Sequence, residues 1–211
     1  ATGWHVVVFQ EQSQIPGFYD LAPEYEASLT AFVGLDGLAQ AAPGGPATLL
    51  FVTWGRRDGD AQNPDVFPDF ATMEARIEEG YRRYAEAAAR PDRLVYRAPV
   101  GPAFAAVHAA VVAGGGDPLA PGSCFHSLYV GDGSHPSPEG TWMAAATIVG
   151  ALTGIVPEPP ADGNACLALY RASAVEALAG QAPVLGGAGD DDDSGPDDDD
   201  LADDDLADDD S

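Results

Sequence analysis

Three short, continuously apolar runs rich in β-branched residues limit what this chain can fold into. They are HVVVF (His5 to Phe9), TLLFVT (Thr48 to Thr53) and LVYRAPV (Leu94 to Val100). Runs of this length and composition suit strands covered on both faces, the situation of a parallel sheet. Between and after them lie helical patterns. Pro23 to Ala41 carries Tyr25, Leu29, Phe32, Val33 and Leu38, and Phe70 to Arg90 sets Met73, Ile77, Tyr81 and Tyr84 at three- and four-residue spacing opposite Glu and Arg. Ala103 to Ala113, the run from Pro138 to Leu152 and Ala165 to Leu178 follow. Strand and helix in alternation predict an α/β fold, a parallel sheet with right-handed crossovers. His5 to Phe9 reads as a central strand, and a central strand needs neighbours on both sides.

Open α/β sheets place their sites at the carboxyl ends of strands. Two such ends run into polar clusters here: Gln10, Glu11, Gln12, Ser13 and Gln14 after the first strand, and Trp54, Gly55, Arg56, Arg57 and Asp58 after the second. A plain hydrophilic loop accounts for the first cluster equally well. The richest stretch is Leu128 to Gly154, LYVGDGSHPSPEGTWMAAATIVGALTG. Asp132 and His135 share a Gly/Ser/Pro loop, Ser137 and Pro138 suit an N-cap and a first helical residue, and Gly154 suits a stop. A carboxylate that holds an imidazole in one tautomer is what a general base in acyl transfer requires. A turn-capping Asp beside an ordinary surface His would leave the same short pattern.

The net charge of −25 is unevenly placed: 14 of the 34 acidic residues lie between Asp190 and Ser211 with no basic residue among them, which leaves −11 on the body. The expected organisation is one folded domain over residues 1–180 and a disordered Asp-rich tail over 181–211, since so dense a single charge cannot bury enough apolar surface to offset its ordering entropy. So acidic a surface excludes nucleic acid as a partner, which requires Lys and Arg for its phosphates. No apolar run approaches the ~20 residues of a membrane span. Cys124 and Cys166 are too few for a disulfide framework, and one bridge or two buried thiols fit equally. The compartment stays open, with export favoured over the cytoplasm.

Three clusters together, HVVVFQEQSQIP, LLFVTWGRRDGD and LYVGDGSHPSPEGTWMAAATIVGALTG, resemble the SGNH (GDSL-type) hydrolases, nearest to the bacterial branch whose nucleophile lies in a G-N-S motif. The resemblance covers about residues 4 to 155. It implies a flavodoxin-like three-layer α/β/α fold and hydrolysis of a small-molecule or carbohydrate ester, often deacetylation, with no cofactor. Carried over by position, His135 is the general base and Asp132 its orienting acid. Gln12 stands where the family has the Asn of G-x-N-D and is the expected oxyanion donor. Gln10, Ser13, Trp54 and Arg56 would line the pocket.

The departure from the family is that no G-D-S, G-N-S or G-x-S-x-G occurs. The expectation is therefore that the nucleophilic Ser, its strand and a crossover lie upstream of Ala1, and that this chain alone is inactive. Two other readings compete. One is a non-catalytic remnant that binds a glycan or a protein through the same cleft. The other is a metal-dependent hydrolase using Asp132, His135 and a further carboxylate, weakened by the lack of a second His at ligand spacing.

Overall fold

A sheet of three parallel strands, in the order β1-β2-β3, carries the molecule. A computed structural model describes residues 3–12, 14–91, 93–161 and 163–186. The elements run β1 (Val6–Phe9), α1 (Pro23–Ala41), β2 (Ala47–Val52), α2 (Phe70–Ala88), β3 (Val95–Pro99), α3 (Val100–Ala113), α4 (Pro138–Thr153) and α5 (Leu167–Ala177). β2 is the middle strand: Val8 pairs with Leu49 on one side, and Leu49 with Tyr96 on the other.

Side chains alternate across the sheet, so each face takes its own helices. Leu50 and Val52 pack with Phe32, Met73, Ile77, Tyr81 and Tyr84 of α1 and α2. Leu49 and Ala98 face the other way and meet Ala151, Ile148 and Leu152 of α4. The result is the three-layer α/β/α arrangement expected from the sequence. A third cluster joins Phe104 and Val107 of α3, Met143 of α4 and Tyr170 of α5 beside the sheet. Each large side chain buried this way contributes roughly 1.5–3 kcal/mol.

The helix ends follow local chemistry. Asp69 accepts the Thr72 N–H at 2.8 Å and caps α2, while Ser137 accepts the Gly140 N–H at 3.1 Å and caps α4 with Pro138 behind it. Gly154 ends α4 in the left-handed conformation, φ 78°, which costs glycine little. α3 begins at Val100, directly on the end of β3, rather than after Gly101 as expected.

Two expectations need restating. β1 is not covered on both faces: it has one strand neighbour among the described residues, and Val8 is 50% exposed. The acidic run lies in residues 187–211, outside the described residues, as does Ser13. The segment before that run packs on the body, with Val184 and Leu185 N–H groups donating to the carbonyls of Ala151 and Leu152.

Cys124 and Cys166 are bridged, with their Cα atoms 5.4 Å apart. The bridge ties the loop before residues 126–128 to the start of α5. It closes a loop of 42 residues, for which chain entropy predicts a stabilisation of about 4 kcal/mol. Urea unfolding of the Cys124→Ser/Cys166→Ser protein checks this, and a loss under 1 kcal/mol would show that the bridge constrains little.

Candidate active site

The loop between residues 128 and 137 is built by its own backbone. The Val130 N–H donates to the His135 carbonyl at 3.0 Å, the Gly133 N–H to Val130 at 3.0 Å and the Ser137 N–H to Leu128 at 2.9 Å. Gly133 sits at φ 67°, and a Cβ there would lie 2.8 Å from an Asp58 carboxylate oxygen, so the turn requires glycine. The Ser137 hydroxyl, besides capping α4, donates to the Ser127 carbonyl at 2.6 Å, which anchors the loop to the helix behind it.

Within this frame Asp132 uses both carboxylate oxygens. Oδ1 accepts the N–H groups of Ser134 at 2.8 Å and His135 at 3.0 Å, and Oδ2 lies 2.7 Å from His135 Nδ1. The His135 and Ser134 donors hold the carboxyl well below the usual carboxylate range. Asp132 is thus an anion at any physiological pH. A carboxylate against Nδ1 fixes the N–H tautomer there and leaves Nε2 as the basic nitrogen. Nε2 has no hydrogen-bond partner among the described residues, and the imidazole side chain is 77% exposed.

The second strand end locks onto this loop. The Trp54 indole N–H donates to the Ser134 carbonyl at 3.1 Å, and the ring stacks on Phe104 with centroids 5.3 Å apart. The Arg57 N–H donates to the Gly133 carbonyl at 2.8 Å, and the Tyr129 hydroxyl donates to the Gly55 carbonyl at 2.7 Å. Trp54 is therefore a brace beneath the Asp132–His135 loop.

A cleft of about 370 Å³ opens beside the loop, lined by Arg56, Asp58, Asp60, Gln62, Phe67 and residues 132–134. Asp60 is its buried centre. It accepts from Arg56 Nη1 at 2.6 Å, Asn63 Nδ2 at 2.6 Å, the Gln62 N–H at 3.1 Å and the Gln14 amide. Burial pushes its carboxyl up, but these donors together outweigh that and hold it down as an anion. Arg56, expected to line the pocket, does so with its guanidinium engaged by Asp60.

The first strand end reaches the cleft through Gln14, whose side-chain amide donates to Asp60. Gln12, the expected oxyanion donor, is exposed. Its amide donates to Gln14 Oε1 at 3.1 Å and its Oε1 accepts the Gln14 N–H at 2.9 Å. Gln10 lines a different hollow, with Phe9, Phe32 and Tyr84. The structure thus brings together Asp132, His135, Trp54 and Arg56, links Gln12 to them through Gln14 and Asp60, and sets Gln10 apart. Among the described residues no group of three His, Cys, Asp or Glu is placed to hold a metal.

No protein-family pattern matches the chain, and no curated protein sequence does. Two solved structures are similar. A DUF4886 family protein from Bacteroides uniformis superposes with a TM-score of 0.62 at 20% identity, over 83% of this chain and 62% of its own length. A protein named a "putative SGNH hydrolase" from Slackia heliotrinireducens superposes with a TM-score of 0.47 at 26% identity, over 69% of this chain and 64% of its own. The chain thus spans just under two thirds of each structure's length. The first likeness shows a shared fold. In fold the chain is a parallel α/β/α sandwich in which the end of β2 is clamped to the Asp132–His135 loop.

Proposed function

We propose that the chain forms the acid–base part of a serine esterase of SGNH type that cleaves small acyl esters, including acetyl groups on carbohydrate. The observation that carries this reading is the 2.7 Å contact between Asp132 Oδ2 and His135 Nδ1, on a loop clamped to the ends of two elements, with Nε2 turned free. Nε2 would take the proton of a serine hydroxyl as that oxygen attacks the acyl carbon, and would return it to the leaving alkoxide. Asp132 stabilises the imidazolium formed in between. The Gln12 amide is the oxyanion donor in this reading and would leave Gln14 to reach the acyl oxygen.

The serine lies, in this reading, on a strand preceding Ala1. The edge of β1 that is unpaired among the described residues supports it, since a parallel strand added there would end on the side where Gln12 and Trp54 lie. The Cys124–Cys166 bridge supports an exported protein, because disulfides persist in oxidising compartments.

Protein that includes residues preceding Ala1 should react with a fluorophosphonate serine probe, and His135→Ala should abolish that reaction. The 211-residue chain by itself should stay unlabelled. A longer protein that resists the probe, yet binds glycan in the cleft, would replace this reading with that of a binding remnant.

A further inference from the structure

Glu74 lies on α2 directly behind the Trp54–Arg57 loop and is 3% exposed. Its Oε2 accepts the Gly55 N–H at 2.7 Å, while its Oε1 is buried with no hydrogen-bond partner among the described residues. A Cβ placed on Gly101 would lie 2.2 Å from Oε1 and 2.3 Å from the Thr53 carbonyl oxygen, so both oxygens press on the same bare face of that glycine. Two buried lone-pair-bearing atoms that approach one another repel unless a proton lies between them.

Beyond the Gly55 N–H, the surroundings offer a carboxylate little. No cationic side chain pairs with Glu74 among the described residues, and Arg56 and Arg57 are turned to Asp60 and Asp58. The titratable groups facing it are Glu78, one turn along its own helix, and the buried Tyr129 phenol from the segment leading to Asp132. Val100 and Gly101, where β3 runs into α3, present no titratable side chain. An anion here would meet an acidic neighbour and an apolar wall.

We infer that Glu74 is a neutral carboxylic acid whose Oε1–H is given to the Thr53 carbonyl, and that it is a positioning residue for the Asp132–His135 loop. With Oε2 on the Gly55 N–H and the Tyr129 hydroxyl on the Gly55 carbonyl, the Gly55 peptide is gripped on both sides. The residues flanking it then deliver the Trp54 indole to Ser134 and the Arg57 N–H to Gly133. Burial pushes the carboxyl up to about 8, in keeping with this protonation state. The active-site role rests on the esterase reading; the protonation state and the grip on the loop do not.

The test compares the wild-type chain with Glu74→Gln, whose amide can accept from Gly55 and donate to Thr53 at every pH. A carboxyl raised on folding stabilises the protein fully below its unfolded value, about 4.5, and loses that contribution as pH rises to about 8. From pH 5 to 8 the folding constant of wild type should therefore fall, relative to E74Q, by about tenfold per pH unit and then level off. In NMR spectra at pH 6, E74Q should leave the Trp54 indole and the Ser134 and His135 amide signals in place, and Glu74→Ala should move them. Parallel pH courses for wild type and E74Q, or a carboxylate signal for Glu74 at pH 6, would overturn the neutral acid. Unmoved loop signals in a folded E74A protein would overturn the positioning role, and if E74A does not fold, unmoved loop signals in Glu74→Leu, which keeps the bulk and loses both hydrogen bonds, would do so. None of these readouts depends on ester turnover, so they stand or fall apart from the esterase reading.

Discussion

Asp132→Asn, in protein that carries the serine, is expected to lower kcat for short acyl esters by about 10⁴-fold while leaving the fold intact. An Asn side chain can still accept the Ser134 and His135 N–H groups at Oδ1, so the loop keeps its shape. What it loses is the second acceptor. An Asn amide facing Nδ1 at 2.7 Å presents N–H instead of oxygen, draws the imidazole into the other tautomer and takes the lone pair away from Nε2. His135→Ala should cost at least as much, and the double variant no more than the worse single one, because the two residues act as a unit. Steady-state kinetics on an acyl ester checks all three, and turnover like wild type in either single variant would remove the pair from the mechanism.

Arg93→Ala is expected to cost about 3–5 kcal/mol of folding stability, because it strands a buried anion. Asp36 of α1 is 1% exposed and receives Arg93 at 2.7 and 2.8 Å and the Thr48 hydroxyl of β2 at 2.6 Å. Burial pushes its carboxyl up, and the Arg93 and Thr48 donors more than offset that, so the net shift is downward. A carboxyl lowered on folding contributes stability above its unfolded value that is lost as pH falls through the folded one. Wild type should therefore lose part of its stability in acid, and Arg93→Ala should show a shallower loss there. Thermal melts between pH 2 and 7 read both effects, and a variant as stable as wild type at pH 7 would show that the triad contributes nothing net.

The layer plan was legible because local and global signals agree. Phe70, Met73, Ile77, Tyr81 and Tyr84 are spaced for one face of a helix, and that face is the buried one. Ser137, Pro138 and Gly154 mark the ends of α4 by chemistry confined to a few residues. The Asp132–His135 pairing was legible for the same reason, since four residues contain it. β1 misled because an apolar run states that its side chains suit burial, not that partners are present on both sides. The roles of Asp60, Glu74 and Gln14 are not legible in the sequence because a buried carboxylate or amide is defined by groups far along the chain: Gln14 meets Asp60 across 46 residues, and Gly55 meets Glu74 across 19. The cysteines could not be paired from sequence because two thiols 42 residues apart carry no distance information until the loop and α5 are placed.

The openness of the His135 ring has a dielectric consequence. In water the attraction between an imidazolium and a carboxylate is roughly fourfold weaker than at the effective constant of a half-buried site, and salt weakens it further. With its ring 77% exposed, the pair described here is geometrically complete and electrostatically slack. Whatever closes over it, whether further chain or the substrate's own leaving group, would expel water and tighten the same two residues without moving either. The loop would then work as a base in proportion to how well it is covered, so that an ester large enough to shed water from His135 would be cleaved faster than a small one carrying the same acyl group.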